Sequence, residues 1–496
     1  MGAASYYSRI NRDLLNNIPI DSSNILELGC GTGALGAAFK ARSAHANYTG
    51  IELSKTASEI AAKNLDRVLN IDVSDLTAEL LDKSYDCIIF GDVLEHLGDP
   101  EAVVKKLADH LSPTGVFLAC IPNVQHWSTF RHLLEGNFPR EDEGLFDKTH
   151  LRWFTLKNII DLFSSCNHQI EWVIPRIGNQ DEGIKTIESL KTAVQTLNID
   201  YEEFKAKSLP LQYVVCTSKN KPEQTSFLGL TLTPQAGLID VRMALPLQSL
   251  ATKPGIELSL SSESLELKPG LQCPKFLIWQ RQLFTYKNSL SMIKSALNAG
   301  YILISEYDDD PEFWPDIKEN NYLTFTGVHA VQVSTDRLQQ FISEHNSNCQ
   351  AFPNCIQDIP IGTTKKWDDM RNNQRPIRFF FGALNRETDW QPFINTINQF
   401  IVNSGKNWEY EIVHDRAFYD ALQTKNKRFT PTCGYQDYMS LLKESHVAFL
   451  PLSSNRFNSY KSDLKFIESS SACAISIASP TVYSEVIDHN ITGMIF

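Results

Sequence analysis

The sequence lacks paired cysteines, an excess of positive charge and long apolar runs. Its ten cysteines stand singly between Cys30 and Cys473 without a C-x-x-C pair, which indicates a reducing, cytoplasmic compartment rather than a disulfide framework or a zinc site. The formal net charge of −12 argues against a protein that coats nucleic acid, although a local basic pocket could still hold a phosphate. No apolar run is long enough to cross a bilayer, and the N-terminal residues lack the apolar core of a signal peptide, so we expect at most peripheral membrane association. Nothing in the sequence indicates an oligomeric state.

The length of 496 residues predicts two or three domains, each with its own core. Between residues 24 and 120 short apolar runs alternate with helical patterns, and two later runs, "HQIEWVIPRI" and "LQYVVCTSK", complete a predicted seven-stranded α/β sheet over residues 1–220. Residues 221–226 form the predicted linker. A second α/β series is divided into domains at residues 227–365 and 366–496, with strands expected in "KFLIWQR", "GYILISEY", "YLTFTG", "AVQVST", "IRFFFGAL", "EYEIVHD", "HVAFLPL" and "CAISIAS".

A glycine-rich turn follows the first predicted strand, and residues 31–36 satisfy G-x-G-x-x-G, a pattern of dinucleotide-binding loops. Glycines alone do not identify the ligand, because any such turn lets a ligand approach backbone N–H groups. Glu27 lies at the end of that strand, where a carboxylate would repel a pyrophosphate but would suit a sulfonium group. Glu52 ends the second strand, where an acid accepts ribose hydroxyls; Asp72 follows the third strand and Asp92 ends the fourth. These acids favour S-adenosylmethionine over NAD.

The segment "ELGCGTG" resembles the first motif of class I S-adenosylmethionine-dependent methyltransferases, and the resemblance covers residues 1–220. It implies a Rossmann-like sheet and a cofactor held by Glu27, Gly29, Gly31, Gly33, Glu52, Asp72 and Asp92. As alternatives, Glu52 and Asp72 are surface acids of turns. Cys30 and Gly36 are assigned to packing of the turn rather than to ligand contact.

The region after the fifth strand resembles a branch of these enzymes found with polysaccharide and small-molecule biosynthesis, through a P-N-V-x-H segment at 122–126 and a D-x-T-H-x-R-x-F segment at 147–154. Methyl transfer to a hydroxyl needs removal of a proton, so His150, with Asp147 three residues before it, is the first candidate base and His126 the second. The alternative is that His150 and Arg152 only pin a loop over the cofactor. Glu95 and His96 are assigned to capping or orienting the helix after the fourth strand, and we expect no metal site.

The second half resembles GT-B glycosyltransferases of the large retaining family that uses nucleotide sugars. The segment "GLIDVRMALPLQSL", which begins at Gly237, resembles the entry strand and helix of that family. The resemblance continues through "FLIWQRQLFTYKNSLSMIKSALNAGYILISEYDDDP", "HAVQVSTDRLQQFI" and "CQAFPNCIQD". It implies a pair of Rossmann-like domains, with the acceptor bound by the first and the nucleotide-sugar donor by the second. The acidic run at 308–310 permits a metal-binding D-x-D interpretation, but its place between a strand and Pro311 favours a turn or the edge of the acceptor cleft.

The donor site implied by the resemblance comprises Gly382, Arg386, Lys461, Lys465 and Glu468. Glu468 matches the second glutamate of the family's E-x7-E pair and is expected to hold the donor ribose, while the lysines neutralise a diphosphate leaving group. Their alternative is a solvated helix face. The sequence departs from the family at two positions: Tyr460 stands where the first glutamate is expected, and Ala383 where an arginine is usual. It also ends at "TGMIF", where the family continues through further helices, so the last domain is expected to be either naturally short or trimmed.

The leading functional hypothesis is a two-headed enzyme that methylates a hydroxyl of a glycan or sugar intermediate with S-adenosylmethionine and transfers a sugar from a nucleotide-sugar donor. Fusion would raise the effective concentration of one product at the other site. A second hypothesis keeps the methyltransferase and makes the other half a degenerate, non-catalytic binding module. A third has a quinone, lipid or protein as the methyl acceptor.

Overall fold

The computed structural model describes residues 9–81, 84–231, 237–264, 266–357, 365–373, 376–384, 386, 388–406 and 408–496. The chain forms two compact units: Met1–Glu223 with Ser249–Ile256, and Gln224–Gln248 with Glu257–Phe496. The start of the predicted first domain, and residues 358–364 next to the predicted division of the second half, lie outside the described residues. No helix in the described ranges has the length and apolarity needed to cross a membrane.

The first unit contains the predicted seven-stranded sheet, in the order β3-β2-β1-β4-β5-β7-β6. Its strands are β1 Asn24–Leu28, β2 Asn47–Ile51, β3 Arg67–Leu69, β4 Tyr85–Gly91, β5 Leu111–Pro122, β6 Gln169–Ile177 and β7 Pro210–Ser218. The pairings from β3 to β5 are parallel, whereas β7 runs antiparallel between β5 and β6. The central strands read as continuous apolar runs because helices cover both faces. Two apolar clusters flank the sheet, one on each face.

The helices of this unit follow the predicted alternation. They are α1 Arg12–Leu15, α2 Ala34–Arg42, α3 Lys55–Ala61, α4 Pro100–Ala108, α5 Trp127–Leu134, α6 Leu156–Ser165, α7 Gln180–Ser189, α8 Lys191–Thr196 and α9 Tyr201–Ser208, with 3-10 turns at Val73–Asp75, Ala78–Leu80 and Leu94–His96. Parallel strands end at one edge of a sheet, so the residues after β1, β2, β3 and β4 meet there.

The second unit holds two six-stranded sheets, in the orders β13-β12-β11-β10-β8-β9 and β16-β15-β14-β17-β18-β19. The first contains β8 Thr225–Leu230, β9 Ile256–Ser261, β10 Lys275–Gln280, β11 Ile302–Tyr307, β12 Ala330–Val333 and β13 Cys349–Ala351. The second contains β14 Arg378–Gly382, β15 Glu409–Val413, β16 Lys427–Thr430, β17 Val447–Leu450, β18 Ile475–Ala478 and β19 Met494–Ile495. Both sheets are parallel, which confirms the predicted fold class of one seven-stranded sheet followed by two Rossmann-like sheets of GT-B-like arrangement.

The helices of the second unit are α10 Leu245–Leu250, α11 Leu290–Asn298, α12 Pro315–Glu319, α13 Leu323–Thr326, α14 Asp336–Ser343, α15 Lys365–Asn373, α16 Ile394–Ser404, α17 Arg416–Ala421, α18 Tyr435–Glu444, α19 Arg456–Ser459 and α20 Leu464–Ser471. A π-helix at Asp240–Ala244 leads into α10, and 3-10 turns occupy Gln391–Phe393 and Val482–Glu485.

Two local predictions in the second half were wrong. The run "YLTFTG" is a helix, α13, because Tyr322 adopts a left-handed backbone (φ 55°) and closes a tight turn that buries Leu323 and Phe325. A six-residue apolar alternation cannot by itself separate a strand from a buried helical turn. The entry strand expected near Gly237 is instead β8, which starts at Thr225 inside the predicted linker.

Candidate functional site

In the glycine-rich loop between β1 and α2, four backbone N–H groups form hydrogen bonds to acceptors within the protein. Gly29 and Cys30 both donate to the Ile51 carbonyl, at 2.8 and 3.1 Å, and Gly33 donates to Cys30 at 2.8 Å. The Gly31 N–H donates to the Glu52 carboxylate at 2.8 Å. A phosphate cradle needs such groups free to face the anion. The loop therefore matches the sequence pattern of a dinucleotide motif, but its N–H groups at residues 29, 30, 31 and 33 are already bonded and do not face a phosphate.

The loop needs glycine for backbone reasons. Gly29, Gly31 and Gly33 have left-handed φ values of 68°, 54° and 75°, a conformation that other residues adopt only with strain. A Cβ at Gly29 would also lie 2.5 Å from the Val93 side chain. Gly36 behaves differently: it lies in α2, and a Cβ there would collide with Leu65 and Tyr48.

Glu52, just past β2, is buried, and its carboxylate accepts two backbone hydrogen bonds. Oε2 accepts from Gly31 and Oε1 from Ser54, each at 2.8 Å. Each oxygen has a second lone pair beyond these bonds. The interaction fixes the side chain against the glycine loop, where a carboxylate can receive vicinal hydroxyls. Glu52 is thus held at the predicted place and is not a solvated turn acid.

Glu27, in β1, is buried and accepts a 2.9 Å hydrogen bond at Oε2 from the Tyr48 hydroxyl. Burial raises the pKa of Glu27 to about 8, the Tyr48 hydrogen bond opposes that shift, and the nearby Glu52 charge adds to it. The carboxyl group is therefore largely protonated at neutral pH in the free protein. A cationic ligand beside it would favour the ionised form.

Asp72 and Asp92 follow β3 and β4 at the same edge. Asp72 caps the 3-10 turn Val73–Asp75: its Oδ1 accepts from the Ser74 N–H at 2.8 Å and from the Ser74 hydroxyl at 2.7 Å, which lowers its pKa. This occupies one carboxylate oxygen and fits the turn-acid alternative. Asp92 has a left-handed φ of 55°, and its Oδ1 accepts from Gln212 of β7 at 2.5 Å. Burial raises the pKa of Asp92.

The segment that contains Asp147 and His150 is bonded directly to the turn after β4. Leu151 and Arg152 donate their backbone N–H groups to the Glu95 carbonyl at 2.8 and 2.9 Å. The Arg152 guanidinium donates to the Gly98 carbonyl through Nε at 3.0 Å and also through Nη2. Asp147 Oδ1 accepts from the backbone N–H and hydroxyl of Thr149, at 2.7 and 2.6 Å. Arg152 and Asp147 therefore fix the loop, while the His150 side chain faces inward.

His150, His96 and Glu95 form a cluster that sequence reasoning did not bring together. One ligand atom from each lies within 4.8 Å of the others, and His150 Nε2 is 4.0 Å from Glu95 Oε1. The two imidazole rings meet edge to face at 4.8 Å between centroids. Burial and His96 lower the pKa of His150, and burial together with Asp92 raises that of Glu95 well above its usual range. The available signal was the run D-x-x-E-H at 92–96, of which Asp92 was assigned to the cofactor and Glu95 and His96 to capping or orienting the helix after β4.

The cap of the helix after β4 is a different residue. Asp99 accepts the Ala102 N–H at 3.0 Å at the start of α4. Neither Glu95 nor His96 caps this helix, because both lie within the preceding 3-10 turn.

His126 acts as an N-terminal cap of α5. Its Nδ1 receives the Ser128 N–H at 3.4 Å and lies 2.7 Å from the Ser128 hydroxyl. Because Nδ1 accepts, the neutral ring carries its proton on Nε2 and has no free lone pair with which to act as a base. Burial lowers the pKa of His126 to about 4. These contacts describe a structural role and favour His150 over His126 as the chemically available histidine.

In the second unit, the residues predicted to hold the donor lie at the carboxyl edge of the last sheet. Glu468 is fully buried in α20; its Oε2 accepts from Lys465 Nζ at 2.9 Å, while its Oε1 accepts no hydrogen bond from the part of the chain that the structure describes. Lys465 Nζ also lies 3.1 Å from the Tyr438 hydroxyl, which in turn donates to the Gly382 carbonyl at 3.1 Å. These contacts bring Gly382, Lys465 and Glu468 together.

The other two predicted cations have acidic partners. Lys461 Nζ is 2.8 Å from Asp309 Oδ1, and Arg386 Nη1 is 3.1 Å from Asp389 Oδ2. The acidic run 308–310 is neutralised by Arg281, Lys461 and Arg456, which supports the turn or cleft-edge interpretation over a diphosphate-bound metal. Tyr460 packs into the apolar cluster of the first sheet of this unit rather than facing Glu468.

Comparisons with known proteins bear on the first unit. Residues 26–117 match the family model described as a methyltransferase domain. A ubiquinone biosynthesis O-methyltransferase from Ralstonia nicotianae is 34% identical over 109 residues, which is 21% of this chain and 45% of the relative. A malonyl-[acyl-carrier protein] O-methyltransferase from Priestia megaterium is 32% identical over 145 residues, covering 28% of this chain and 45% of the relative. The chain thus spans about half the length of the curated relatives that it matches.

Among solved structures, the plantazolicin methyltransferase BpumL in complex with SAH covers 44% of this chain and 88% of its own, with 17% identity and a TM-score of 0.30. The family model and the sheet order together show that the N-terminal part contains a class I methyltransferase domain. The second half carries two parallel Rossmann-like sheets.

Proposed function

We propose that the first unit transfers a methyl group from S-adenosylmethionine to a hydroxyl group. The observation that carries this proposal is the glycine loop: its N–H groups at Gly29, Cys30, Gly31 and Gly33 bond within the protein, and two buried acids lie beside it. That donor set disfavours a pyrophosphate and suits a ligand that carries a positive charge and ribose hydroxyls.

The side chains at this edge fit S-adenosylmethionine. Glu52 would accept the ribose hydroxyls through its remaining lone pairs, and Glu27 would face the cationic end. Asp72 would lie toward the adenine, and the Cβ-free turn at Gly29 and Gly31 leaves room for close approach. When bound, the cofactor supplies an electrophilic methyl group on a sulfonium.

An oxygen acceptor is supported by the relatives in Ralstonia and Priestia, whose names are those of O-methyltransferases. Within the chain, His150 is the group that fits proton removal best. Its Nδ1–H donates to the Leu145 carbonyl at 3.2 Å, so the lone pair is on Nε2, on the side of the ring that faces Glu95. Asp147 does not touch His150 in these hydrogen bonds and acts as a positioning residue for the loop.

For the second unit we propose transfer of a sugar from a nucleotide-sugar donor, so that the methyl acceptor is a glycan or sugar intermediate of surface polysaccharide synthesis. This is supported by the paired parallel sheets and by the buried Glu468, whose Oε1 accepts no hydrogen bond from any described residue. A donor ribose hydroxyl would satisfy that oxygen. The singly spaced cysteines, all ten of them free thiols, fit a cytoplasmic site of action.

The alternative is that the second unit binds a glycan or nucleotide without catalysing transfer. Its specific support is that Lys461 and Arg386 are already paired with acids and that Tyr460 lies in an apolar cluster. These cations would have to exchange partners before they could neutralise a leaving diphosphate.

The test uses the full chain with methyl-labelled S-adenosylmethionine, a panel of sugar and glycan acceptors, and a second panel of catechols, lipids and acyl carriers. The proposal expects label in a sugar acceptor and release of nucleoside diphosphate from one nucleotide sugar. Label only in the second panel would overturn the glycan assignment. Methyl transfer without turnover of any nucleotide sugar would instead support a second unit that binds a glycan or nucleotide without catalysing transfer.

A further inference from the structure

We infer that Glu95, His96 and His150 form a binding site for a divalent first-row transition cation at the end of β4. One ligand atom of each side chain lies within 4.8 Å of the others, and the Glu95 and His150 side chains are 2% and 4% exposed. Two imidazoles and one carboxylate are the protein ligands of many catalytic zinc sites and of facial-triad iron sites, both of which keep positions open for substrate.

The Nδ1 atom of each imidazole lies within hydrogen-bonding distance of a backbone carbonyl. His150 Nδ1 donates to the Leu145 carbonyl at 3.2 Å, and His96 Nδ1 lies 3.3 Å from the Thr149 carbonyl and 3.1 Å from its hydroxyl. The Thr149 hydroxyl gives its own proton to Asp147, so it accepts from His96. Each ring therefore carries its proton on Nδ1 and presents the Nε2 lone pair. Ligating histidines are usually held in this way, by a hydrogen bond from the other ring nitrogen.

The burial of the Glu95 carboxylate is a second observation, independent of the histidines, that points to a bound ligand. Residue Glu95 is 1% exposed, and both of its carboxylate oxygens are buried without a hydrogen-bond partner among the residues that the structure describes. A buried carboxyl group without a hydrogen-bond partner destabilises the folded state, so such a group is expected where a ligand satisfies it. A cation bound by Glu95 Oε1 and His150 Nε2 would do so.

Two of the candidate ligand atoms lie farther apart in the structure than they would around a bound cation. Ligand atoms about 2.1 Å from one cation lie about 3.0–3.4 Å apart, whereas His150 Nε2 and Glu95 Oε1 are 4.0 Å apart. Small side-chain rotations would close this gap. The backbone need not move, because Leu151 and Arg152 already bond the histidine loop to Glu95.

This inference deepens the proposed function and rests on it for its catalytic meaning. A cation here would lie beside the cofactor edge and would take the acceptor hydroxyl as a further ligand, lowering the pKa of that hydroxyl. The O–H bond then breaks, the proton passes to solvent water, and the oxygen keeps the electron pair for attack. With the cation bound, His150 Nε2 is a metal ligand and no longer acts as the base assigned to it for the metal-free site, so the cation activates the hydroxyl.

The experiment measures cation binding without any methyl acceptor. The full chain, freed of metal with a chelator, is titrated with MnCl₂ and followed by calorimetry and by loss of the free-ion electron paramagnetic resonance signal. We expect one saturable site per first unit. The variants Glu95→Gln and His150→Ala should lower Mn²⁺ affinity at least about 100-fold, since loss of even an outer-shell partner costs about 10–100-fold. The matched control is His45→Gln, an exposed histidine of the same unit.

Binding of S-adenosylhomocysteine, measured on the same samples, separates the outcomes. Mn²⁺ binding that survives in both variants, or that falls equally in His45→Gln, would overturn the site. So would the absence of binding in a wild-type chain that still binds S-adenosylhomocysteine. Retained S-adenosylhomocysteine binding in Glu95→Gln shows that the variant is folded, and methyl transfer that is unchanged by chelation would refute the catalytic role while leaving the proposed methyltransferase intact.

Discussion

The ionisation of Glu27 couples the stability of the first unit to pH. Burial raises the pKa of Glu27 to about 8 from an ordinary value of 4.5, so the folded chain holds a proton that the unfolded chain releases above about pH 4.5. Stability from this group is therefore fully present below pH 4.5 and is lost as the pH rises through 8. The proton difference between the folded and unfolded chain falls from about one at pH 6 to about one half at pH 8, which lowers the free energy of unfolding by about 2 kcal/mol over that range.

The substitution that tests this is Glu27→Gln, which keeps the size of the side chain and an acceptor for the Tyr48 hydroxyl but cannot ionise. The free energy of unfolding of the wild type should fall by about 2 kcal/mol between pH 6 and 8, and we expect the variant not to show this fall. Hydrogen exchange resolved by peptide measures it as the opening free energy of β1 and β2, after correction for the intrinsic exchange rate.

Glu59→Gln is the matched control, because Glu59 is exposed on α3 in the same unit and should leave the pH dependence unchanged. If wild type and Glu27→Gln lose the same opening free energy between pH 6 and 8, Glu27 does not titrate there and the burial argument fails.

Four further substitutions have defined outcomes. Glu52→Gln should weaken S-adenosylhomocysteine binding at least about tenfold in calorimetry, because charge-assisted bonds to hydroxyls are lost; unchanged affinity would remove Glu52 from the site. His150→Ala should lower turnover at least about tenfold with cofactor affinity little changed, whereas lost affinity with retained turnover would make His150 part of a cofactor lid. Tyr48→Phe should destabilise the first unit by about 1–3 kcal/mol in chemical denaturation, since Glu27 loses its donor; no change would mean that water replaces it. Glu468→Gln should abolish any nucleotide-sugar binding, and retained binding would place the donor elsewhere.

The apolar runs were sufficient to predict the number of strands in the first sheet and their succession along the chain, since the central strands β4 and β5 contain short, fully buried apolar runs. The failures in the second half have a common cause. The run "YLTFTG" and the segment near Gly237 are short, and their conformation depends on tertiary burial and on the left-handed turn at Tyr322, which local pattern does not encode.

The sequence was sufficient to predict the site residues that lie at or just after the end of a strand. Glu27 and Glu52 are held where the sequence placed them, because parallel strands deliver their ends to one edge. The cluster of Glu95, His96 and His150 was not predictable, since it depends on hydrogen bonds from Leu151 and Arg152 that join segments more than fifty residues apart. The same holds for Lys461, whose partner Asp309 lies in the turn after β11, about 150 residues earlier in the chain.

We propose that the glycine loop binds S-adenosylmethionine and not a dinucleotide. Calorimetric titration of the purified chain with S-adenosylhomocysteine and, separately, with NADH distinguishes the two ligands. We expect one S-adenosylhomocysteine site that Glu52→Gln weakens, and no NADH binding. NADH binding that depends on Glu52, with none of S-adenosylhomocysteine, would contradict this proposal.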